Sequence, residues 1–117
     1  MNIDNISNYK NGLGNVWLCG HFDNSIIQTS NFEIGIHWCD VGIAEPHKHK
    51  YTTEWNIILE GRLIANGKEL ERGAIFIYSP DEVNDVVFLE KCTLIVIRNG
   101  SYKNDKILNE NSVGIIG

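Results

Sequence analysis

The sequence predicts an all-β sandwich or barrel, and three observations carry that expectation. No stretch of helix length shows an amphipathic 3.6-residue period. Short runs rich in β-branched and aromatic residues recur instead, separated by turn residues at Gly42, Gly61, Gly67, Gly73, Pro80 and Gly100. Between two of those runs stands Asn66-Gly67, the pair that best tolerates the two positive φ angles of a type I′ hairpin turn.

Taken in order, residues 1–12 are polar and Asn-rich and read as a flexible lead before a single domain over 13–117. Residues 32–39 (FEIGIHWC) alternate in part and read as a strand, as does 55–59 (WNIIL). Residues 62–65 and 68–70 flank Asn66-Gly67 and form the expected hairpin. Residues 74–78 (AIFIY) end at Ser79-Pro80, because proline cannot continue a ladder. Residues 86–89 and 93–98 flank Glu90-Lys91 and read as a second hairpin. The segment from Ser101 is polar until Ile115-Ile116 and reads as an arm packed on the domain.

Composition narrows the function. A chain of 117 residues is one domain with enough length to bury a core unaided. The net charge of -5 argues against nucleic acid and anionic membrane as partners. No apolar run approaches the roughly 20 residues of a membrane span, and no signal peptide is visible, so the expected location is the cytoplasm. Cys19, Cys39 and Cys92 form no C-x-x-C pair and read as buried thiols of a reducing compartment.

The chemistry concentrates in 42–61, GIAEPHKHKYTTEWNIILEG. His47 and His49 are two apart, so on a strand both imidazoles point to one face and reach a common metal ion. Glu54 follows after a polar break at Thr52-Thr53, which lets the chain turn and return to the same side. Two histidines and a carboxylate suffice for a divalent transition metal.

These residues resemble the first motif of the cupins, G-x5-H-x-H-x3,4-E-x6-G. His47, His49, Glu54 and Gly61 fit it, and Gly42 is one residue short. The second motif, G-x5-P-x-G-x2-H-x3-N, is degraded: Gly73 and Pro80 are present, but the inner glycine and the fourth-ligand histidine are not. That histidine position holds Asn84 or Asp85, with Glu82 as the next candidate. The chain is more similar to a group of small single-domain cupins. It matches them through WLCGHFDNS at 17–25, HKHKYTTEWN at 47–56, GAIFIYSPDEV at 73–83, FLEKC at 88–92 and YKNDK at 102–106.

The resemblance implies a double-stranded β-helix, or jelly-roll barrel. It implies a divalent metal ion (Fe, Mn, Ni or Zn) on His47, His49, Glu54 and Asp85, and a small polar or sugar-like ligand. Members of that group lie near nucleotide-sugar and polysaccharide enzymes, so isomerase or epimerase chemistry is one implied role, with a metal-dependent oxygenase as a variant on the same triad; a sensor or sequestering role and a purely structural one are the alternatives. A metal-free pocket using His or Tyr as acid or base also occurs among such folds. The sequence supplies His37 and Tyr51 as catalytic candidates, and Asn56, Asn84 and Tyr78 as ligand-binding ones. If Glu54 faces inward, so do Asn56 and Ile58. His37 faces inward only if the odd positions of 32–39 do. Surplus Trp and Ile, together with the resemblance, lead us to expect a homodimer.

Overall fold

In the computed structural model, described over residues 1–108, a 3-10 turn at Ile6–Tyr9 precedes twelve strands. They are β1 (Asn15–Gly20), β2 (Ile27–Gln28), β3 (Glu33–Cys39), β4 (Gly42–Ile43), β5 (His47–His49), β6 (Glu54–Glu60), β7 (Arg62–Ala65), β8 (Lys68–Glu71), β9 (Ile75–Tyr78), β10 (Val86–Phe88), β11 (Cys92–Arg98) and β12 (Lys106–Leu108). One sheet runs β2-β1-β3-β11-β6-β9, a second runs β4-β10-β7-β8, and β12 pairs with β5 in a third. Among the described residues no helix is long and apolar enough to cross a membrane.

The Asn66-Gly67 turn forms as expected: Asn66 has φ 46° and Gly67 φ 82°, and β7 pairs antiparallel with β8 on either side. The expected second hairpin does not form. β10 pairs with β4 and β7, whereas β11 pairs with β3 and β6, so Glu90-Lys91 carries the chain from one sheet to the other. Inward-facing Val86 belongs to the same core as Leu94, and covering that core from two sides requires two sheets rather than one ribbon. The expected arm contributes β12, while Ile115-Ile116 lies outside the described residues.

Strand alternation then sorts the side chains. Ile58, Leu63, Ala65, Val86, Cys92, Leu94 and Val96 form a core between the two larger sheets. On β6, Glu54, Asn56 and Ile58 are buried, while Leu59 is exposed. On β3 the odd positions Glu33, Gly35, His37 and Cys39 face inward, and Trp38 faces out. Cys19 and Cys92 are buried, and burial pushes the Cys39 thiol up to about 11.

Register determines what meets across the sheet. Along β11 the inward residues run Cys92, Leu94, Val96, Arg98. On one side Arg98 lies opposite Glu54 and Val96 opposite Asn56; on the other Arg98 lies opposite Glu33 and Leu94 opposite His37. One end of the barrel interior is therefore apolar, and the other carries a row of Glu33, Arg98 and Glu54 across three neighbouring strands.

Gly61 joins β6 to β7 at φ 94°. A Cβ there would strike the Lys91 carbonyl and come within 2.6 Å of Cys92 Sγ. Gly61→Ala therefore lowers stability by at least about 2 kcal/mol in urea denaturation. A loss below about 0.5 kcal/mol would contradict this reading of the bend.

Candidate metal centre and adjoining cavity

β5 is only three residues long, and it brings both histidines to the polar end of the barrel. It is held by β12, with Lys106 opposite His49 and Leu108 opposite His47. A backbone bridge joins His47 to Asn84. His47, His49 and Glu54 each place one ligating atom within 4.8 Å of the others.

The ring nitrogens are sorted by their partners. His47 Nδ1 lies 3.2 Å from the Glu45 carbonyl oxygen. His49 Nδ1 lies 3.2 Å from Asp105 Oδ2. If each Nδ1 carries its ring proton, both Nε2 lone pairs are free for a cation, the arrangement by which outer carboxylates and carbonyls orient metal-binding histidines. His49 Nε2 is buried without a hydrogen-bond partner, although Glu54 Oε2 is 3.0 Å away. Asn84 Oδ1 is likewise buried and unpartnered. Two orphaned acceptor atoms beside a buried carboxylate fit a divalent cation.

Glu54 is the most heavily engaged group. Its Oε1 accepts from Asn56 Nδ2 at 3.0 Å and Asn84 Nδ2 at 2.8 Å. Its Oε2 accepts from Arg98 Nε at 2.8 Å and lies 2.7 Å from Arg98 Nη2. Arg98 Nη1 donates to Glu33 Oε1 at 2.6 Å, and the Ser101 hydroxyl donates to Glu33 Oε2 at 2.8 Å. Burial alone would raise the Glu54 carboxyl, but Arg98, His49 and Asn56 outweigh it and hold it well below the usual range. Burial likewise works against Asp105, and the Thr52 hydroxyl and Tyr51 amide bring it below its ordinary value. Three buried carboxylates thus face one buried guanidinium, an excess of negative charge that also suits a cation.

Beside this centre is a cavity of about 580 Å³, with His49 in its lining. Trp17 and Phe22 stack at 4.7 Å on one wall, and His37 meets the Trp17 ring edge-on at 5.2 Å. Arg98 lies 5.2 Å over the Trp17 ring. The His37 Nε2 is buried with no partner. Burial first, then Arg98, lowers its pKa to about 4, so the ring is neutral near pH 7. His47 is lowered to about 4 by burial and then by Lys106.

The remaining sequence candidates divide. Asn56 and Asn84 sit on Glu54, and Asn84 is the member of its pair that faces the centre. Asp85, expected as a fourth ligand, is exposed and pairs through its backbone with Asn66; next to inward-facing Asn84, its side chain alternates to the other face. Glu82 is exposed and accepts from the Ser79 amide. Tyr51, expected as a catalytic group, is 52% exposed and packs against Tyr102 on the surface. Its backbone NH, rather than its phenol, reaches Asp105. Tyr78 is buried, and its hydroxyl donates to Asn66 Oδ1 at 2.8 Å rather than facing the centre. Burial and then Glu54 push it up to about 12.

Sequence reading missed Arg98, Glu33, Asp105 and Trp17. A signal existed for two of them. Arg98 ends an alternating run in which Leu94 and Val96 are the inward positions, and Glu33 shares the odd register of His37. Asp105 belongs to no alternating pattern and is found only in three dimensions.

No protein-family model and no curated protein sequence matches the chain. Solved structures do. A protein with a double-stranded β-helix domain from Klebsiella pneumoniae aligns with TM-score 0.66 at 17% identity, over 92% of this chain and 91% of its own. A cupin-2 domain protein from Shewanella frigidimarina aligns with TM-score 0.51 at 18% identity, over 62% and 74%. The DMSP lyase DddQ from Ruegeria pomeroyi aligns with TM-score 0.70 at 14% identity, over 84% of this chain; the chain spans about half of that enzyme, 52%. The fold is therefore the cupin double-stranded β-helix.

Two outcomes follow from this geometry. Arg98→Met strands two buried carboxylates and costs about 3–5 kcal/mol in urea denaturation, and Arg98→Lys recovers little because an ammonium cannot fork between them. An Arg98→Met variant within 1 kcal/mol of the parent would contradict this. The second concerns pH. Unfolded histidine takes a proton near 6.5, whereas folded His37 resists it until about pH 4. Its contribution is full above about 6.5 and lost as pH falls towards 4. The urea midpoint should fall over that window, and less steeply in His37→Asn; an unchanged slope in that variant would remove His37 as a source.

Proposed function

We propose that this protein is a small metal-binding cupin that takes a small polar or sugar-like ligand in the cavity beside His49. The observation that carries the reading is the convergence of His47, His49 and Glu54 with two unpartnered acceptors, His49 Nε2 and Asn84 Oδ1. His47, His49 and Glu54 would hold the ion, with Asn84 Oδ1 as the neutral fourth donor in place of Asp85. A bound divalent ion supplies Lewis-acid polarisation of a ligand oxygen. Because Glu54 already accepts three hydrogen bonds and lies 2.7 Å from Arg98 Nη2, ligating a metal requires it to loosen one of these contacts.

Around the ion, Trp17 and Phe22 offer a stacking wall for a ring, and neutral His37 accepts a hydrogen bond from a ligand hydroxyl. For an isomerase or epimerase of sugar-like substrates, His37 would be the group to take a proton from carbon, once its buried Nε2 turns towards the cavity. Its pKa near 4 makes it a weak acceptor for that step. The low basicity of His37 and the saturated Glu54 favour a second reading, a cupin that binds its ligand without converting it.

Metal content separates the readings from their failure. Protein purified without chelator should carry about one divalent ion per chain, lost in both His47→Ala and His49→Ala. Adding Mn, Fe, Ni or Zn to stripped protein at a hundredfold excess over Kd should raise Tm by about 8–15 °C. No bound metal and no shift with any of the four would overturn the metal centre. Nucleotide sugars that shift Tm and return unaltered would select the binding role, and a converted one the isomerase role.

A further inference from the structure

His21 stands outside the metal centre, yet it lines the same cavity as His37 and His49. It follows β1 directly, and its ring lies 4.4 Å from that of Phe22 on the stacking wall. Three chain segments meet there. The Ser101 hydroxyl oxygen accepts from the His21 backbone NH at 2.9 Å and lies 2.5 Å from His21 Nδ1. The same hydroxyl donates to Glu33 Oε2 at 2.8 Å, and that oxygen is 3.6 Å from His21 Nδ1. Ser101 and Glu33 are buried, and the Ser101 NH is anchored on the Ser30 carbonyl. Arg98 holds Glu33 by its other oxygen, which leaves Oε2 to Ser101.

These contacts fix the tautomer of the ring. A hydroxyl has one proton to give and two sites that accept. The Ser101 proton belongs to Glu33, because two acceptors 2.8 Å apart with no proton between them repel. Both accepting sites of the Ser101 oxygen then take N–H groups of His21, so Nδ1 carries the ring proton and Nε2 a lone pair. Among the described residues Nε2 makes no hydrogen bond, and the side chain is 22% exposed, whereas His37 Nε2 is enclosed. We propose that His21 is the proton-accepting group of the cavity, oriented from behind by Ser101 and Glu33. This rests on the cavity being the ligand site, as proposed above. For a sugar with a carbonyl, the C–H bond beside that carbonyl breaks and its proton goes to Nε2. The electron pair forms the C=C of an enediolate, with the charge on the former carbonyl oxygen. Return of the proton to the neighbouring carbon, with a hydroxyl proton moving between the two oxygens, completes an isomerisation. Meanwhile the imidazolium keeps its Nδ1–H on Ser101, and the Glu33 carboxylate behind it compensates the charge.

Two measurements on the full-length protein test this. Long-range proton–nitrogen NMR spectra of labelled protein, with His21→Asn as the assignment, should show the Nδ1–H tautomer for His21. The second is exchange of carbon-bound hydrogen in heavy water, followed on glucose, xylose, fructose and glucuronate with metal-loaded protein. His21→Asn keeps a donor for Ser101 but removes Nε2, and should lower the kcat of exchange at least about 100-fold. Ser101→Ala removes only the orienting hydroxyl, and should lower kcat about 10-fold with KM within about threefold of the parent. An Nε2–H tautomer in the parent overturns the inference, as does exchange that survives His21→Asn and is lost in His37→Asn. An unchanged kcat in Ser101→Ala overturns the orienting role of Ser101 and Glu33. Absence of exchange from all four sugars overturns the acid–base role itself. Metal content and Tm shifts are read separately, so that last result leaves the metal-binding reading standing.

Discussion

Arg98 is a buried cation with a carboxylate on either side, and the polar end of the barrel is arranged around it. Its guanidinium reaches Glu33 at 2.6 Å and Glu54 at 2.7 Å, with all three groups almost removed from water. Each ion would be costly there alone; together they are compensated by a planar fork that bonds both acids at once. Because the three side chains come from neighbouring strands in register, the ion network also ties β3, β11 and β6 together at the end where the apolar core stops.

That network defines the state of every other group nearby. Glu54 is held ionised and its two oxygens are fixed in place, one by Arg98 and one by two amides. His49 lies between Glu54 and Asp105, and Asp105 is itself held by the Thr52 hydroxyl at 2.6 Å. The same guanidinium helps keep His37 neutral and lowers Lys106, for which burial is the larger cause. A cation entering beside His49 would therefore meet a preset charge pattern rather than having to organise one.

The two faces of the large sheet have opposite characters. Alternation along β3, β6 and β11 sends acids, amides and histidine inward at one end and leaves isoleucines and tryptophans facing out. The usual arrangement of a sheet with one solvated side is the reverse, apolar in and polar out. A barrel that encloses a polar site inverts that pattern locally.

The sequence by itself determined the β character, the Asn66-Gly67 hairpin and the pairing of His47 with His49. All three rest on local rules: the two-residue period of a strand, the positive φ of a turn, and the same-face placement of i and i+2. It also brought Asn84 and Asp85 to the edge of the centre, but favoured Asp85, whereas Asn84 is the buried one and Asp85 is exposed. Only the tertiary structure decided which of the two faces inward, because a one-residue slip in register exchanges the two faces and nothing local fixes the slip. The same holds for Arg98 opposite Glu54, 44 residues apart, and for Asp105 behind His49, 56 residues apart. Such contacts are set by which strands become neighbours. That follows from how the whole chain buries its core, and it separates 86–88 from 92–98 into different sheets although a short turn could have joined them.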